Sequence, residues 1–314
     1  MGNIAVVDLG SNTIKVAVIK LATPLRALFR STKQVRISRG MHKGDSLKLS
    51  EEAMKAAVGA VEELIAEASA YNLETTCIVG TSALRDATNA NDFASMLENK
   101  TGVKLRILSG TEEAEYAARG ALSDPVLTDI ETDLSIVDLG GGSLECINFQ
   151  HNKLKQAISL PLGAVRLTER FISNPESAID YSEIEKVFEY AKSELINSDF
   201  NFNEVKLPLI GLGGAFIALR SMIAARQNLE ESKPAQAFLN CADFGEILKD
   251  ITAQSLEERV KIPGLPAKRA DILPAAIAVM LAVADLADCK QFLHTYYNLP
   301  FGIADELRET AKAS

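Results

Sequence analysis

The sequence predicts an α/β protein built from two similar domains. Three observations point there. Strand-like and helix-like patterns alternate along most of the chain. The segment "VVDLGSNTIKVAVI", which carries Asp8, returns as "IVDLGGGSLECINF", which carries Asp138 130 positions later. A period that long suits a duplicated domain, not a solenoid. The 314 residues, 47% of them hydrophobic, are enough for two domains with a sizeable core.

The elements follow in order. "NIAVVDLGSNTIKVAVIK" reads as strand, tight turn and strand, because Ile4, Val6 and Val7 precede the glycine while Ile14, Val16 and Val18 alternate after it. A third strand is expected around Leu25–Ile37. "SEEAMKAAVGAVEELIAEASAYN" opens on a capping signal at Ser50 and carries apolar residues at helical spacing. "TTCIVGTSALRDATNANDFASMLENKTG" reads as strand, loop and helix, "VKLRILSG" as a strand and "TEEAEYAARGAL" as a helix. After the acidic linker "SDPVLTDIETD" the opening pattern repeats, and "KLKQAISLPLG" supplies a third strand. Helices are expected over about 163–173 and 182–198, then the strand "KLPLIGLGG" and the helix "AFIALRSMIAA". Further helices near 243–260 and 266–288, a strand in "CKQFLHTYYNLP" and a last helix in "GIADELRETAKA" complete the pattern. The domains are expected over 1–124 and 125–300, with the C-terminal helix 301–314 packing back on the first.

Composition narrows the function. A net charge of −9 disfavours a general nucleic-acid binder, which is usually basic. No apolar run reaches the ~18 residues of a membrane span, and the N-terminus enters an apolar strand with no basic leader, so no signal peptide is read. The expected location is the cytoplasm. Cys77, Cys146, Cys241 and Cys289 lie far apart without CxxC spacing and fit buried or idle thiols better than disulfides or zinc ligands. His42, His151 and His294 have no metal-ligand spacing.

The two glycine turns are the candidate chemistry. Backbone N–H groups in such turns can converge on an anion. Gly10, Gly140, Gly141 and Gly142 let phosphate approach, and Ser11, Asn12, Thr13 and Ser143 can donate hydrogen bonds. Asp8 and Asp138 at the strand ends would repel bare phosphate, so they make sense with Mg²⁺ between. Ordinary hairpin turns are the bland alternative. A third cluster, Gly213 and Gly214 in "GLGGAF", sits between strand and helix, where it serves either as an anion-facing helix start or as a tight turn. In "LSGTEEAEYAARG", a capping box from Ser109 explains Glu112 but not Glu113, which points to another face and is a candidate general base. Glu145 lies two residues beyond Ser143 and so on the same strand face. Arg85, after a short polar loop, and Arg166, at a helix start, each read as a phosphate contact or an ion-pair partner. Lys15 reads as solvent-facing.

Seven segments in order then carry a resemblance: "VVDLGSNTIKV", "IVGTSALRDATN", "ILSGTEEA", "VDLGGGSLE", "LPLGAVRLTERF", "GLGG" and "PGLPAKRADILPAAIAVM". Together they resemble the exopolyphosphatase / guanosine pentaphosphate phosphohydrolase family, in its short two-domain form, over nearly the whole chain. The resemblance implies an actin-like, sugar-kinase-like fold of two ribonuclease-H-like domains around a central cleft. It implies Mg²⁺-dependent release of terminal phosphate from inorganic polyphosphate, guanosine pentaphosphate or both, and a homodimer. It implies Glu113 as catalytic base, Glu145 as an assistant to metal or water, Asp8 and Asp138 as metal-side acids, and Arg85 as a phosphate contact. The turns Gly10–Asn12 and Gly140–Ser143 match the phosphate loops. Two departures bear on substrate preference. Ala215 stands where the GLGG motif usually continues with Thr, and Gly302-Ile303-Ala304-Asp305 replaces a Gly-Leu-Arg-Glu-like element. The densest basic stretch, 30–43, is short, which favours short polyphosphate or a nucleotide. An ATP-dependent small-molecule kinase of the same fold and a non-catalytic polyphosphate or alarmone sensor are the alternatives.

Overall fold

A computed structural model describes residues 2–41, 47–127, 133–150, 153–229 and 237–313. Part of the acidic linker, His42, Lys43 and His151 therefore lie outside the described residues. The chain folds as two compact units. The first runs to Leu127 and resumes at Tyr297; the second comprises Asp133–Tyr296.

The first unit is a five-stranded sheet with helices on both faces. Its elements are β1 (Asn3–Leu9), β2 (Thr13–Lys20), β3 (Arg26–Gln34), α1 (Glu51–Ala68), β4 (Leu73–Gly80), α2 (Ser82–Asp86), α3 (Ala90–Thr101), β5 (Leu105–Ile107) and α4 (Gly110–Leu122). The strand order is β3-β2-β1-β4-β5. The first three strands are antiparallel, and β4 and β5 run parallel to β1. Alternation along β1 explains its unbroken apolar run. Ala5, Val7 and Leu9 join the core formed with Val58, Val61, Leu64, Phe93 and Leu97 of α1 and α3. Ile4 and Val6 join Tyr116 of α4 and Phe301 on the opposite face.

The second unit repeats this plan. It contains β6 (Leu134–Leu139), β7 (Leu144–Gln150), β8 (Lys153–Leu160), α5 (Ala164–Phe171), α6 (Tyr181–Ile196), β9 (Leu209–Leu212), α7 (Gly214–Arg226), β10 (Phe238–Asn240), α8 (Cys241–Thr252), α9 (Leu256–Arg259), α10 (Leu273–Leu286) and β11 (Gln291–His294). Its sheet order is β10-β11-β9-β6-β7-β8. Apart from the added edge strand β10, this is the order of the first sheet, with β6, β7 and β8 again antiparallel and β9 and β11 parallel to β6. Both sheets have the arrangement expected of ribonuclease-H-like domains. Helix α10 is apolar on every side because α5, α6, α7 and α8 surround it.

Several elements differ from the sequence expectation for local reasons. Arg85 lies on the single helical turn α2, not in a loop. The helical stretch near 243–260 is interrupted before Ser255, which starts α9 with its own capping box to Glu258. Helix α10 begins at Leu273, after a 3₁₀ turn at Ala267–Arg269. No described helix is long and apolar enough to cross a membrane.

The last helix, α11 (Leu299–Ala313), packs on α4 in the first unit. Glycine makes the approach possible. A Cβ on Gly120 would overlap the Asn298 carbonyl, and one on Gly302 would overlap that of Tyr116. Asp305 pairs there with Arg119, at 2.8 Å, and with Arg308. The departure at 302–305 thus belongs to a buried helix crossing. Gly120→Ala and Gly302→Ala are each expected to destabilise the protein by ~1–3 kcal/mol, as overpacking does. Gly59→Ala in α1, where a Cβ meets nothing within 4 Å, is expected to be stabilising by up to ~1 kcal/mol. Urea denaturation of the three variants checks both signs.

Candidate functional site

The two glycine turns close with the same hydrogen bond. Gly10 N–H donates to Thr13 O at 3.1 Å, and Gly140 N–H donates to Ser143 O at 3.0 Å. In the second turn the next carbonyls are taken by the chain itself. Ala164 N–H donates to Gly140 O at 3.1 Å, Val165 N–H to Gly141 O at 2.8 Å, and Arg166 Nε to Gly142 O at 2.9 Å. A trans peptide holds its C=O and N–H in opposite directions. The N–H groups of Gly141, Gly142 and Ser143 therefore face away from α5. Close packing against that helix start also explains a glycine that the turn alone does not. A Cβ on Gly163 would overlap the backbone of Gly141 and Gly142. The segment pressed against this glycine run is thus the protein's own α5 start. Arg166 is a backbone partner of the turn, which neither sequence reading of it anticipated.

The first turn is built on the same principle. Ser11 O accepts from the Ser38 hydroxyl at 3.2 Å, and Asn12 O accepts from Arg36 N–H at 3.0 Å. The N–H groups of Asn12 and Thr13 are thereby turned away from the 35–38 segment. Ser11, Asn12 and Thr13 are all buried. Both polar atoms of the Asn12 side chain lack a hydrogen-bond partner among the described residues. Leaving such a group unsatisfied costs ~1–3 kcal/mol.

Strand ends bring Arg85 and Glu113 together. Thr81 N–H donates to Leu9 O, and Leu108 N–H donates to Gly80 O, which ties α2 and the start of α4 to the end of the sheet. Arg85 Nη1 then lies 2.8 Å from Glu113 Oε2 and 3.0 Å from Leu108 O. The two adjacent glutamates have different tasks. Glu112 completes the capping box with Ser109 and meets Arg106 Nη2 at 2.7 Å. The Ser109 backbone N–H and Arg106 hold its carboxyl down at about 2. Glu113 is 9% exposed and takes no part in the cap. A groove of about 430 Å³ beside α2 is lined by Arg85, Thr88, Asn91, Ser109 and Glu112.

Equivalent rows of side chains cross the two sheets. In the first, Asp8 stands opposite Lys15 and Lys15 opposite Thr32. In the second, Asp138 stands opposite Glu145 and Glu145 opposite Ser159. Directly opposed residues share a sheet face. Lys15 Nζ lies 3.9 Å from Asp8 Oδ2, so Lys15 is an ion-pair partner and not simply solvent-facing. Burial raises the Asp8 carboxyl and Lys15 opposes that rise. Glu145 is 1% exposed, and the Ser159 hydroxyl donates to its Oε1 at 2.6 Å. Two carboxylates at opposed positions repel unless they share a proton or a cation.

The third glycine cluster adjoins Asp138. Gly213 has φ 101°, and a Cβ there would lie 2.9 Å from Asp138 Oδ1. Gly214 opens α7, and a Cβ on it would overlap the Arg269 guanidinium. Burial lowers Arg269 to about 10. Its guanidinium makes no hydrogen bond or ion pair among the described residues, although it lies at the positive end of a 13-residue helix. Candidate-residue reasoning missed Arg269. The signal was present in the Lys268-Arg269 pair of the "PGLPAKRADILP" segment, but only the fold carries it to Gly214.

Among the described residues, no group of three or more His, Cys, Asp or Glu is arranged to hold a metal. The Asp138–Glu145 pair still fits Mg²⁺, which takes oxygen ligands and commonly uses one or two carboxylates with water and phosphate completing its shell.

Comparison with known proteins agrees with this architecture. The chain is 24% identical over 298 residues to the bifunctional 3-dehydroquinate synthase/phosphatase of Fusobacterium nucleatum, covering 90% of this chain but 43% of that protein's length. Its fold matches an exopolyphosphatase from Cytophaga hutchinsonii with a TM-score of 0.87, at 23% identity and 98% coverage of both chains. It matches the Aquifex aeolicus PPX-GPPA enzyme with a TM-score of 0.76, at 22% identity, covering 97% of this chain and 99% of that one. Residues 16–293 match the model of the Ppx/GppA phosphatase family, and the chain belongs to that family.

Proposed function

We propose that this protein hydrolyses phosphoanhydride bonds, releasing terminal phosphate from inorganic polyphosphate, from guanosine pentaphosphate, or from both. The observation that carries the reading is the pair of glycine turns whose carbonyls are captured by the chain, so that their N–H groups are available to phosphate oxygens. Family membership supports the same chemistry.

Each unit contributes its own part. In the first, the Asn12 and Thr13 amides and the unsatisfied Asn12 side chain bind phosphate oxygens. Arg85 holds Glu113 until a phosphate competes for its guanidinium. Glu113 then orients and deprotonates the attacking water. In the second unit, the Gly141, Gly142 and Ser143 amides, Arg269 and the α7 N-terminus hold phosphate oxygens. Asp138 and Glu145 are the residues that would hold Mg²⁺. When bound, the ion neutralises charge on the phosphates and on the leaving group. Phosphoryl transfer needs mainly this positioning and charge stabilisation. The overall charge of −9 favours short polyphosphate or the nucleotide over a long basic track.

Phosphate release with Mg²⁺ on short polyphosphate, long polyphosphate and guanosine pentaphosphate tests the reading, and absence of release from all three rejects it. Glu113→Gln is expected to lose at least ~10²-fold in kcat, whereas Glu112→Gln retains activity because glutamine still closes the capping box. Equal loss in the two variants would remove the general-base role. Glu145→Gln is expected to raise the Mg²⁺ concentration for half-maximal activity by ~10-fold or more, about 1.4 kcal/mol of lost binding. An unchanged Mg²⁺ titration assigns the ion elsewhere. Arg269→Met is expected to raise KM ~10-fold without lowering Tm, since it removes a half-buried cation that has no hydrogen-bond or ion-pair partner among the described residues. A fall in Tm with unchanged KM would make Arg269 structural.

A further inference from the structure

Two of the four cysteines, 48 positions apart in sequence, meet in the second unit. Cys241 is the first residue of α8, and Cys289 stands just ahead of β11. The antiparallel pairing of Phe238–Asn240 with Gln291–Leu293 brings them into register. The Cys241 backbone N–H donates to Lys290 O at 3.0 Å, and the Cys241 thiol donates to Cys289 O at 3.3 Å. Cys289 Sγ lies 3.0 Å from Gln291 O. Both are free thiols; Cys289 is 4% exposed and Cys241 is half-buried, so a small reagent reaches the pair from the Cys241 side. With the Cys241 sulfur at the Cys289 carbonyl, the two side chains sit on neighbouring positions of paired backbone segments, the placement a disulfide requires.

We propose that Cys241 and Cys289 form a reversible disulfide when the protein meets a peroxide. The Cys289 thiolate attacks one peroxide oxygen and the O–O bond breaks. Hydroxide leaves and takes up the proton that the Cys289 thiol shed, becoming water, and the sulfur becomes a sulfenic acid. Cys241 sulfur then attacks that sulfur, and its hydroxyl departs as a second water with the Cys241 proton. In total, two thiols and one hydrogen peroxide give one disulfide and two waters, and the sulfur pair loses two electrons. The assignment of roles follows the asymmetry of the pair. Each thiol acts on the other, which lowers Cys289 and raises Cys241, so Cys289 ionises first. Cys77 and Cys146 are both pushed up by burial, which leaves them poor nucleophiles. The new bond would tie the start of α8 to the foot of β11. Because β11 runs parallel to β9, this is the end of the sheet opposite Gly213, so the disulfide is distinct from the phosphate-binding turns.

The test exposes the full chain to a small excess of hydrogen peroxide, removes the oxidant with catalase, alkylates in denaturant and maps the peptides. A linked Cys241–Cys289 peptide is expected, with alkylatable thiols falling from four to two per chain and returning to four with dithiothreitol. Cys241→Ser is expected to abolish the link and leave Cys289 as a sulfenic acid trapped by dimedone. Cys289→Ser is expected to leave Cys241 alkylatable after peroxide, and a circular-dichroism melt of each variant reports its fold. Retention of all four thiols in the wild type, a link involving Cys77 or Cys146, or a link found only between chains overturns the proposal.

Discussion

The capture of carbonyl oxygens at the two glycine turns is the constraint on which the rest of each unit depends. A hairpin turn with loose carbonyls has no preferred direction for its amides. Here Ala164, Val165 and the Arg166 side chain fix the carbonyls of Gly140–Gly142, and the 35–38 segment fixes those of Ser11 and Asn12. Peptide planarity then decides where the N–H groups point. The order of elements follows from this, because the segment after the third strand must return to the turn in both units. Gly163 is the steric counterpart of that return.

Duplication supplies two similar frames, and a single charge difference gives them different chemistry. The Asp8–Lys15–Thr32 row is internally neutralised. The Asp138–Glu145–Ser159 row places two acids side by side. The first arrangement is stable by itself, while the second calls for a shared proton or a cation. At the start of α7 the Arg269 guanidinium lies against Gly214 and makes no hydrogen bond or ion pair among the described residues.

Adjacent side chains can be divided between stability and chemistry in a way that motif spacing only partly reveals. Glu112 is spent on the helix cap and Arg106, whereas Glu113 turns toward Arg85. The separation of the two glutamates was legible, since a capping box occupies the third helical residue and successive helix positions point about 100° apart. The Arg85–Glu113 pairing was not, because 28 positions separate the two and nothing local encodes their approach. Strand β10 was also not read from the sequence; it spans only Phe238–Asn240 and runs directly into α8. The one-turn helix α2 was not read either.

By itself, the sequence determined the duplicated α/β plan, the positions of the glycine turns and the acids at the strand ends. All of these are written in short-range patterns: alternation with period two, helical periodicity, capping residues and a repeated peptide. The tertiary structure decided which distant groups meet. It placed Lys15 against Asp8, Arg166 on the glycine turn, Arg269 against Gly214, and Cys241 beside Cys289. Those pairings depend on sheet register and helix return, which are set by burial of the apolar faces over the whole unit. A local pattern can specify an element and its buried face, but the partner across the fold is chosen only when the core closes.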